Sequence, residues 1–566
     1  MVDARHIRPH LEQLLATAVH EAIAAGELPD VAVPAVPIER PKDPAHGDFA
    51  TTLPMRMARS AMKKPLEIAE ALARRVPADA AILPPEVAPP GFINLRLSDS
   101  FLQQQVNTII DQGPAFADLD IGAGKKAQVE FVSANPTGPL HVGNGRGAAI
   151  GDSLASVLEA AGYETEREYY VNDAGTQTDT FAETLYARYQ QLFGRDVDIP
   201  EDGYPGEYMV DLAKAVRDTH GDSLLRPEGE PMPEGLQRLG MDLMVDQIRR
   251  SLRNLGVEYD EWFGERSLYG SEGAFNKAMA ILKENGQLAE REGALWFTSS
   301  ELGESKDNVL VRSNGKPTYY ASDIAYHYDK FIRRGFNLVI DVWGADHHGH
   351  VSRLKTATGA IGADPEALHI LLYQLVTLKR SGETVRLSKR GGEIITIDEL
   401  VEEVGPDATR FFFLMRSPGA QMDFDIDLAV RQSNENPVYY VQYAHARLSQ
   451  ILARAAEQGI DGAGGDVSLL TQPQELALIR EMLRLVDVIE NCATTFEVQQ
   501  LPHYAMSLAT AFHAFNDAFR QQNDSSLKVI TDDTEMTRAR LLIVQATRIA
   551  LARVLDLMGV SAPERM

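Results

Sequence analysis

Two apolar runs of strand length, each followed by a glycine-containing loop and a helical segment, most constrain the fold of this chain. They are AQVEFV (127–132) and NLVIDVW (337–343). Continuous apolar runs are typical of strands buried on both faces of a parallel sheet, and their alternation with helices predicts a doubly wound α/β layer. A charged stretch punctuated by proline and glycine, at about 169–265, interrupts this alternation. We expect it to be an insertion into a Rossmann-like domain.

The segments on either side predict two further domains, because 566 residues exceed what one hydrophobic core supports. Residues 1–115 combine helical patterns, a proline-rich stretch and the β-like run GFINLRL (91–97), which indicates a small α+β domain. After about residue 436 the apolar residues recur only at helical spacing. We therefore expect a multidomain α/β protein with domains at 1–115, 116–435 and 436–566, the last of them all-helical.

Composition and charge limit the partners that the chain can have. A formal net charge of −26 disfavours nucleic-acid binding through overall basicity, so any RNA contact must use local Lys and Arg groups. The single cysteine, Cys492, allows neither an internal disulfide nor a cysteine-based zinc site. Charged residues near the N-terminus exclude a signal peptide, and the apolar stretch 541–560 is interrupted by polar residues. We expect a cytoplasmic protein that does not enter a membrane.

A glycine-rich loop after the first apolar run is compatible with two kinds of nucleotide site. In HVGNGRGAA, Gly143, Gly145 and Ala148 match the dinucleotide fingerprint, which makes a nicotinamide-dependent dehydrogenase one candidate. In that fingerprint the glycine turn follows the strand directly, whereas residues 133–142, with two prolines, separate the two here. The long connection favours a loop that displays side chains beside a phosphate.

His141 lies just before the expected helix start at about Asn144. From there its ring can reach a phosphate oxygen while the helix N-terminus supplies backbone donors. Gly143 would leave room for a flat base against the backbone. The alternative is that His141 only caps the helix and the glycines form an ordinary turn.

A second basic loop appears much later, in VRLSKRGGEIITIDEL (385–400). Arg386, Lys389 and Arg390 surround Ser388 ahead of two glycines. A mobile cationic loop suits a pyrophosphate leaving group, whose charge grows in the transition state, although an exposed basic turn is the simpler alternative. No Walker A pattern is present in the sequence, which disfavours a P-loop ATPase.

HVGN and RLSKR, in this order within an α/β domain, resemble the His-x-Gly-His and Lys-Met-Ser-Lys-Ser signatures of class I aminoacyl-tRNA synthetases. Flanking segments narrow the resemblance to the arginyl-tRNA synthetase family. VEFVSANPTGPLHVG resembles its first signature block, and GPDATRFFFLMRSP (405–418) resembles the Asp-Ala-Leu-Arg element before its anticodon-binding domain. GDFATTLPMRMAR and GFINLRLS resemble its N-terminal added domain, and VSAPERM its C-terminal end. The resemblance covers nearly the whole chain, and the insertion is its least distinctive part.

Two departures from the family signatures affect the ATP site. Asn144 stands where the first signature has its second histidine, and an amide can donate a hydrogen bond but carries no charge. The second signature begins with Arg386 and ends with Arg390, while its central lysine is kept as Lys389. The resemblance implies that His141, Asn144 and Lys389 act catalytically, and that ATP is bound by His141, Gly143, Asn144, Arg386, Ser388 and Lys389.

The amino-acid pocket implied by the resemblance is lined with carboxylates. The guanidinium of arginine has five donors that match carboxylate oxygens in a fork. Glu130 and Asp323 would bind it with help from Tyr319, and Asn135 would hold the α-amino or carboxyl end. The same pocket would be lined by Ser133, Asp346, His347 and His350.

The resemblance also implies the reaction and its cofactors. L-Arginine would be activated with ATP to arginyl-adenylate and pyrophosphate, and then transferred to the 3′-terminal ribose of tRNA(Arg), with activation requiring bound tRNA. Mg²⁺ would share the charge on the phosphates. A zinc site in HHGH is disfavoured, because the adjacent His347 and His348 cannot readily point at one ion. Paired carboxylates would reject lysine and citrulline by about 10⁴ or more, so no editing domain is expected.

The helical C-terminal domain would read the anticodon loop. Tyr439, Tyr440, Tyr443 and Arg447 lie on adjacent turns and offer stacking faces and a cation for splayed bases. On spacing alone a tyrosine-rich helix is more often part of a core. We expect a monomer whose partners are tRNA(Arg), arginine and ATP, with no DNA. A different synthetase of the same class and a non-catalytic RNA-binding relative remain the alternatives.

Overall fold

The structure is a computed structural model that describes residues 3–173, 176–270, 272–385 and 395–566. It is a multidomain α/β protein, as the sequence predicts. Its α-helices are α1 (Ile7–Ala24), α2 (Leu53–Ala61), α3 (Pro65–Arg75), α4 (Asp99–Gln112), α5 (Val142–Ala160), α6 (Thr176–Gln191), α7 (Glu207–His220), α8 (Leu236–Asn254), α9 (Ala274–Glu284), α10 (Tyr319–Tyr328), α11 (Val351–Ala360), α12 (Ile397–Val404), α13 (Pro406–Leu414), α14 (Ile426–Ala429), α15 (Pro437–Glu457), α16 (Pro473–Thr495), α17 (Gln500–Gln521) and α18 (Thr534–Leu557). Its strands are β1 (Phe49–Thr51), β2 (Glu86–Ala88), β3 (Phe92–Leu95), β4 (Lys126–Phe131), β5 (Glu164–Val171), β6 (Glu261–Gly264), β7 (Leu288–Arg291), β8 (Ala294–Phe297), β9 (Asn308–Val311), β10 (Leu338–Gly344), β11 (Leu368–Tyr373), β12 (Val376–Arg380), β13 (Glu383–Thr384) and β14 (Met422–Asp425).

A five-stranded parallel sheet in the order β11-β10-β4-β5-β6 forms the centre of the molecule. The two apolar runs found in the sequence are its adjacent strands β4 and β10, which confirms the predicted layer. The chain leaves β4 toward β5 on one side and returns to β10 on the other. Parallel strands that diverge in this way leave a crevice at their carboxyl ends.

Two excursions from this sheet surround that crevice. Between β5 and β6 the chain forms α6, α7 and α8, so the ends of the stretch at about 169–265 belong to the sheet itself. Between β6 and β10 it forms α9 and a small antiparallel sheet, β7-β8-β9, which the sequence patterns do not predict. The strands of this second sheet are four residues long, too short to show a period.

In the N-terminal domain α2 and α3 pack against the sheet β1-β3-β2, and α1 packs on α3. Helices α15 to α18 form the C-terminal domain, in agreement with the predicted all-helical fold. Ion pairs join these two domains directly. Arg8 and Arg40 both contact Asp487, and Arg480 contacts Asp48 at 3.0 Å. No helix in the described part of the chain is long and apolar enough to cross a membrane.

Arg410 on α13 ties together three parts of the molecule and is fully buried. Its Nη2 donates to Asp152 Oδ2 on α5 at 2.5 Å, and its Nε donates to the carbonyl of Met558, just after α18, at 2.7 Å. Nη1 donates to the carbonyls of Leu255 and Gly256, which follow α8. One guanidinium therefore holds the end of the C-terminal helix and the α8 excursion against α5.

Candidate active site

The chain leaves β4 through two consecutive non-glycine residues with left-handed backbone geometry. Val132 has φ 68° and Ser133 has φ 40°. A β-branched residue seldom adopts this conformation, and such strain concentrates at functional sites. The turn brings Ser133 back to the strand it has just left, so that its Oγ donates to Glu130 Oε1 at 2.9 Å and accepts from the Tyr170 N–H at 3.1 Å.

Three acidic residues lie side by side across the parallel sheet. Glu130 on β4 is in register with Asp341 on β10 and with Glu168 on β5. All three are buried. A row of buried carboxylates is stable only if cations or hydrogen-bond donors compensate it.

The compensation comes from α10 and the single π-helical turn that continues it, Asp329–Arg333. Lys330, itself fully buried, donates to Glu130 Oε2 at 2.6 Å and to Asp341 Oδ1 at 2.7 Å. His327 Nε2 lies 3.1 Å from Asp341 Oδ2. Arg334 and the Tyr326 hydroxyl bind Glu168. None of these four basic and phenolic partners is predicted from the sequence.

The pKa values of this network follow from burial and from Lys330. Burial raises the pKa of Glu130, and the positive charge of Lys330 offsets only part of that rise. Burial acts in the same direction on Asp341, but Lys330 and His327 outweigh it and hold the Asp341 pKa below its usual value. The Lys330 ammonium loses hydration, yet Asp341 and Glu130 raise its pKa to about 12. Lys330 is therefore charged at neutral pH.

Asp323 is the acidic residue that this network leaves uncompensated. It is half-buried on α10, and within the described residues its carboxylate has no hydrogen-bond or ion-pair partner. Burial raises its pKa to about 7; His327 opposes this, while Glu130 and Glu265 add to it. Tyr319 lies one helical turn earlier on the same face and is 59% exposed. The structure thus brings Glu130, Ser133 and Asp323 together, with Tyr319 at the opening.

The other residues predicted for the amino-acid pocket lie on the segments that follow β4 and β10. Asn135 follows the β4 turn and donates through Nδ2 to Gln177 Oε1 at 2.9 Å. Asp346 and His347 lie on the 3₁₀ turn Ala345–His350 after β10, and both side chains are exposed. His347 packs between Trp343 and His350, with ring centroids 5.9 and 6.3 Å apart.

At the other edge of the crevice, His141 caps the N-terminus of α5. Its Nδ1 accepts from the Asn144 N–H at 3.4 Å, and Asn144 Oδ1 accepts from the His141 N–H at 3.0 Å. Reciprocal capping leaves His141 Nε2 and the Asn144 amide nitrogen as the groups available to a phosphate. Burial lowers the His141 pKa, and Asp346 counteracts this from across the crevice.

Gly143 is required by the position of the His141 ring. A Cβ at Gly143 would lie 2.9 Å from His141 Cε1, closer than packing allows. The space beside Gly143 that the sequence predicts for a flat base is thus occupied by the His141 ring in this structure. Arg386, Ser388 and Lys389 of the second basic loop lie outside the described residues.

Comparisons with known proteins agree over the whole chain. Residues 9–97 match the arginyl tRNA synthetase N terminal domain, 105–412 the catalytic domain of class I (R) tRNA synthetases, and 441–566 the DALR anticodon binding domain. The arginine–tRNA ligase of Dehalococcoides mccartyi strain CBDB1 is 50% identical over 98% of each chain. That of Carboxydothermus hydrogenoformans is 48% identical over 96% of this chain and 97% of its own. The chain belongs to the arginyl-tRNA synthetases.

A solved arginyl-tRNA synthetase has the same architecture. The enzyme of Thermus thermophilus superposes with a TM-score of 0.76 at 25% identity and covers 99% of this chain and 100% of its own. The family predicted from the signature blocks is therefore confirmed, and so is the fold class. The nicotinamide-dependent alternative is wrong, because the catalytic-domain match includes the glycine-rich loop from which it was inferred.

The aromatic cluster of the anticodon-binding domain of this arginyl-tRNA synthetase lies between core and surface. Tyr439, Tyr440 and Tyr443 are half-buried on α15, where the rings of Tyr439 and Tyr443 stack 6.2 Å apart. Arg447 Nη1 donates to the Tyr443 hydroxyl at 3.3 Å. Tyr440 packs on His513 of α17, with ring centroids 5.0 Å apart. These rings contribute to packing and still present edges to solvent.

Proposed function

We propose that this protein is an ATP-dependent arginine–tRNA ligase whose amino-acid pocket is centred on Asp323. The observation that carries the proposal is a half-buried carboxylate without a partner in the described residues, beside a second carboxylate, Glu130, that Lys330 already binds. Asp323 therefore adds a negative charge that no described cation pairs with. The pocket matches a ligand group with one positive charge and several hydrogen-bond donors.

The guanidinium of arginine satisfies both requirements. Asp323 receives it in a fork, as the charged partner. Glu130 is held by Ser133 and Lys330 with fixed orientation and accepts a further donor through its remaining lone pairs. Tyr319 closes over the guanidinium from the exposed end of α10. Lysine has the charge but not the planar set of donors, and citrulline lacks the charge, so both leave buried groups unpaired.

The α-amino and carboxyl end of arginine binds at one edge of the crevice, and ATP binds at the other. Asn135 and Ser133 face the α-amino and carboxyl groups, and Asp346 and His347 line the opposite wall. His141, Gly143 and Asn144 bind ATP at the N-terminus of α5, where backbone donors and the helix dipole favour phosphate. Arg386, Ser388 and Lys389 complete the phosphate site. Mg²⁺ arrives with ATP as part of the substrate.

In the first step a carboxylate oxygen of arginine attacks the α-phosphorus of ATP. The new oxygen–phosphorus bond replaces the bond to the bridging oxygen, and pyrophosphate leaves with that electron pair. No general base is needed, because the carboxylate is already ionised. Catalysis rests on positioning and on stabilising the growing charge, to which His141 Nε2, Asn144 and Lys389 contribute.

In the second step a hydroxyl of the 3′-terminal ribose of tRNA(Arg) attacks the activated carbonyl. The ester forms as AMP leaves, and the hydroxyl proton is released. The anticodon-binding domain holds the RNA through the cluster of Tyr439, Tyr440, Tyr443 and Arg447. We propose that activation requires bound tRNA, and that the protein acts as a cytoplasmic monomer.

The proposed function is tested by aminoacylation with a panel of amino acids and total tRNA, together with ATP–pyrophosphate exchange. We expect esterification of arginine alone, and exchange that depends on arginine and appears only when tRNA is added. Charging with another amino acid would contradict the pocket. Tight tRNA binding without any aminoacylation would instead identify a non-catalytic relative.

A further inference from the structure

A cavity of about 250 Å³ lies between the C-terminal end of α8 and strand β6, and its lining shares no residue with the proposed amino-acid and ATP sites. We call it the arginine–tryptophan cavity. It is lined by Arg249, Arg253, Val257, Glu258, Tyr259 and Trp262. The volume exceeds that of several water molecules, each of which takes about 30 Å³ in the liquid. It can hold a phosphate together with part of the sugar attached to it.

The Arg249 guanidinium is held flat against the wall of the cavity. Its Cζ lies 4.5 Å from the centre of the Trp262 ring, whose other face stacks on Tyr169 at 4.4 Å. Stacking on an immobilised indole removes much of the entropy that an arginine loses on binding. Among the described residues Arg249 Nε has no hydrogen-bond partner, and the nearest carboxylate, Asp246, is 3.8 Å from Nη1. The donors of Arg249 are therefore oriented in advance but not fully used.

Arg253 lies one turn further along α8 and points the same way. Its side chain is mostly exposed, and Glu258 lies 3.8 Å away, beyond hydrogen-bonding distance. Glu258 is the one carboxylate of the lining and is itself mostly exposed, so it can turn into solvent when an anion enters. The lining itself has two arginines and one glutamate, which is one positive charge in excess in a chain of net charge −26, and Asp246 stands outside the lining, 3.8 Å from Arg249.

The cavity is attached firmly to the domains around it. Residues Leu255 and Gly256, between Arg253 and Val257, accept the Nη1 hydrogen bonds of buried Arg410. Arg410 also holds α5 and the end of α18. An anion in the cavity would therefore have a defined position relative to the ATP-binding helix and the anticodon-binding domain.

We propose that the arginine–tryptophan cavity binds a backbone phosphate of the tRNA that the enzyme charges. The proposal rests on the proposed ligase function, because it needs an RNA substrate. A polyanion approaching a protein of this charge is repelled over most of the surface and gains affinity only where arginines are concentrated. Two guanidiniums on successive turns match the oxygens of one phosphodiester.

The test compares two charge-neutralising variants on the same helix. Arg253→Gln removes a cavity arginine, whereas Arg238→Gln removes an arginine outside the cavity that is also mostly exposed and has its own carboxylate, Asp242, at the same 3.8 Å. For Arg253→Gln we expect the KM for tRNA to rise about three- to tenfold, as for one partly exposed charge-assisted contact. The slope of log Kd for tRNA against log salt should fall by about 0.7 to 0.9. The kcat and the KM for arginine should stay within about twofold of wild type.

If Arg253→Gln and Arg238→Gln had the same KM for tRNA and the same salt slope while wild type charged tRNA normally, the cavity proposal would be overturned and the ligase function left intact. A second variant, Arg249→Lys, keeps the charge but loses the stacked fork, and it should raise the tRNA KM in the same direction.

A fluorescence titration separates the two sources of phosphate. We expect tRNA to change the emission of wild type and Trp262→Phe to lose part of that change, because Trp296 and Trp343 account for the rest. Saturable changes at low-millimolar inorganic phosphate or AMP, with none on adding tRNA, would identify a small-anion site and contradict the RNA assignment.

Discussion

The ammonium nitrogen of Lys330 lies 2.6 Å from Oε2 of Glu130, in a part of the sheet that bulk solvent hardly reaches. This ion pair distinguishes Glu130 from the second carboxylate of the crevice, Asp323. Glu130 is a strand carboxylate that already has its cation, whereas Asp323, about two turns before Lys330 along the helix, has none in the described part of the chain. The proposed selectivity for a single guanidinium rests on that difference.

Removal of the buried ammonium should be costly. Lys330→Met leaves Glu130 and Asp341 without their shared cation, and breaking a buried pair in this way costs about 3–5 kcal/mol. We expect a loss of that size in the free energy of unfolding, measured with urea and circular dichroism. Lys316→Met, at an exposed position, should change it by less than about 0.5 kcal/mol. A Lys330→Met loss below about 1 kcal/mol would show that the pair is not truly desolvated.

The raised pKa of Asp323 should appear in the kinetics. Its carboxyl has a pKa of about 7 in the free protein because of burial and its acidic neighbours. Since only the ionised form attracts a guanidinium, kcat/KM for arginine should fall as pH drops below about 7, and kcat/KM reports groups of the free enzyme. Asp323→Asn should have a low kcat/KM that no longer changes across this range. An unchanged acidic limb in the variant would assign the titration to another group.

The same carboxyl should destabilise the free protein at high pH. Its folded pKa lies above the ordinary value of 3.8, so the folded state binds more protons than the unfolded state between 3.8 and about 7. The contribution of Asp323 to the free energy of unfolding of wild type therefore becomes less favourable as pH rises from 3.8 to about 7. Asp323→Asn should have a higher melting temperature than wild type at pH 8, and the difference should shrink by pH 4.5. Exposed Asp202→Asn serves as the control and should show no such trend.

Much of the architecture could be predicted from periodicity. The runs at 127–132 and 337–343 become β4 and β10, and the apolar residues at helical spacing after about residue 436 become α15 to α18. These elements carry their signal locally, because β4 and β10 bury most of their residues and each long C-terminal helix buries an apolar face. The antiparallel sheet β7-β8-β9 has strands of four residues and gives no comparable signal.

The amino-acid pocket could be predicted only in part, for a different reason. Glu130 and Asp323 are recognisable from the family blocks, but the partner of Glu130 is not. Lys330 reaches it only because β4 and β10 pair in the register that sets Glu130 beside Asp341, and because α10 ends in a π turn. Neither the strand register nor the π turn has a signature in the local sequence, so the sequence does not distinguish the buried Lys330 from an exposed lysine.

Gly143 provides a test of the ATP site that leaves the amino-acid pocket untouched. Gly143→Ala places a Cβ 2.9 Å from the His141 ring and should displace it from the helix cap. We expect kcat to fall about tenfold or more with little change in the KM for arginine, because a stabilising contact to the phosphates is lost. Gly419→Ala, where an added Cβ meets nothing within 4 Å, is the matched control. Equal kcat values in the two variants would contradict a role for the His141 ring.

The buried Arg410 guanidinium should stabilise the packing of the C-terminal helix and the α8 segment against α5. Arg410→Lys keeps the charge but cannot reach Asp152, Met558 and Leu255 together. We expect a loss of about 2–4 kcal/mol in the free energy of unfolding, from buried acceptors left unpaired. Arg454→Lys, at an exposed position of α15, should leave the free energy of unfolding unchanged. A neutral Arg410→Lys would mean that the three-way junction adds little to docking of the C-terminal helix.

Calorimetric titration of the protein with L-arginine, in the presence of saturating tRNA and in two buffers of different ionisation enthalpy, tests most directly whether Asp323 receives the guanidinium. At pH 7 the carboxyl is about half protonated in the free protein, so binding should release about half a proton per site, and Asp323→Asn should release none. Binding with no proton release in wild type, or with the same release in the variant, would contradict the account.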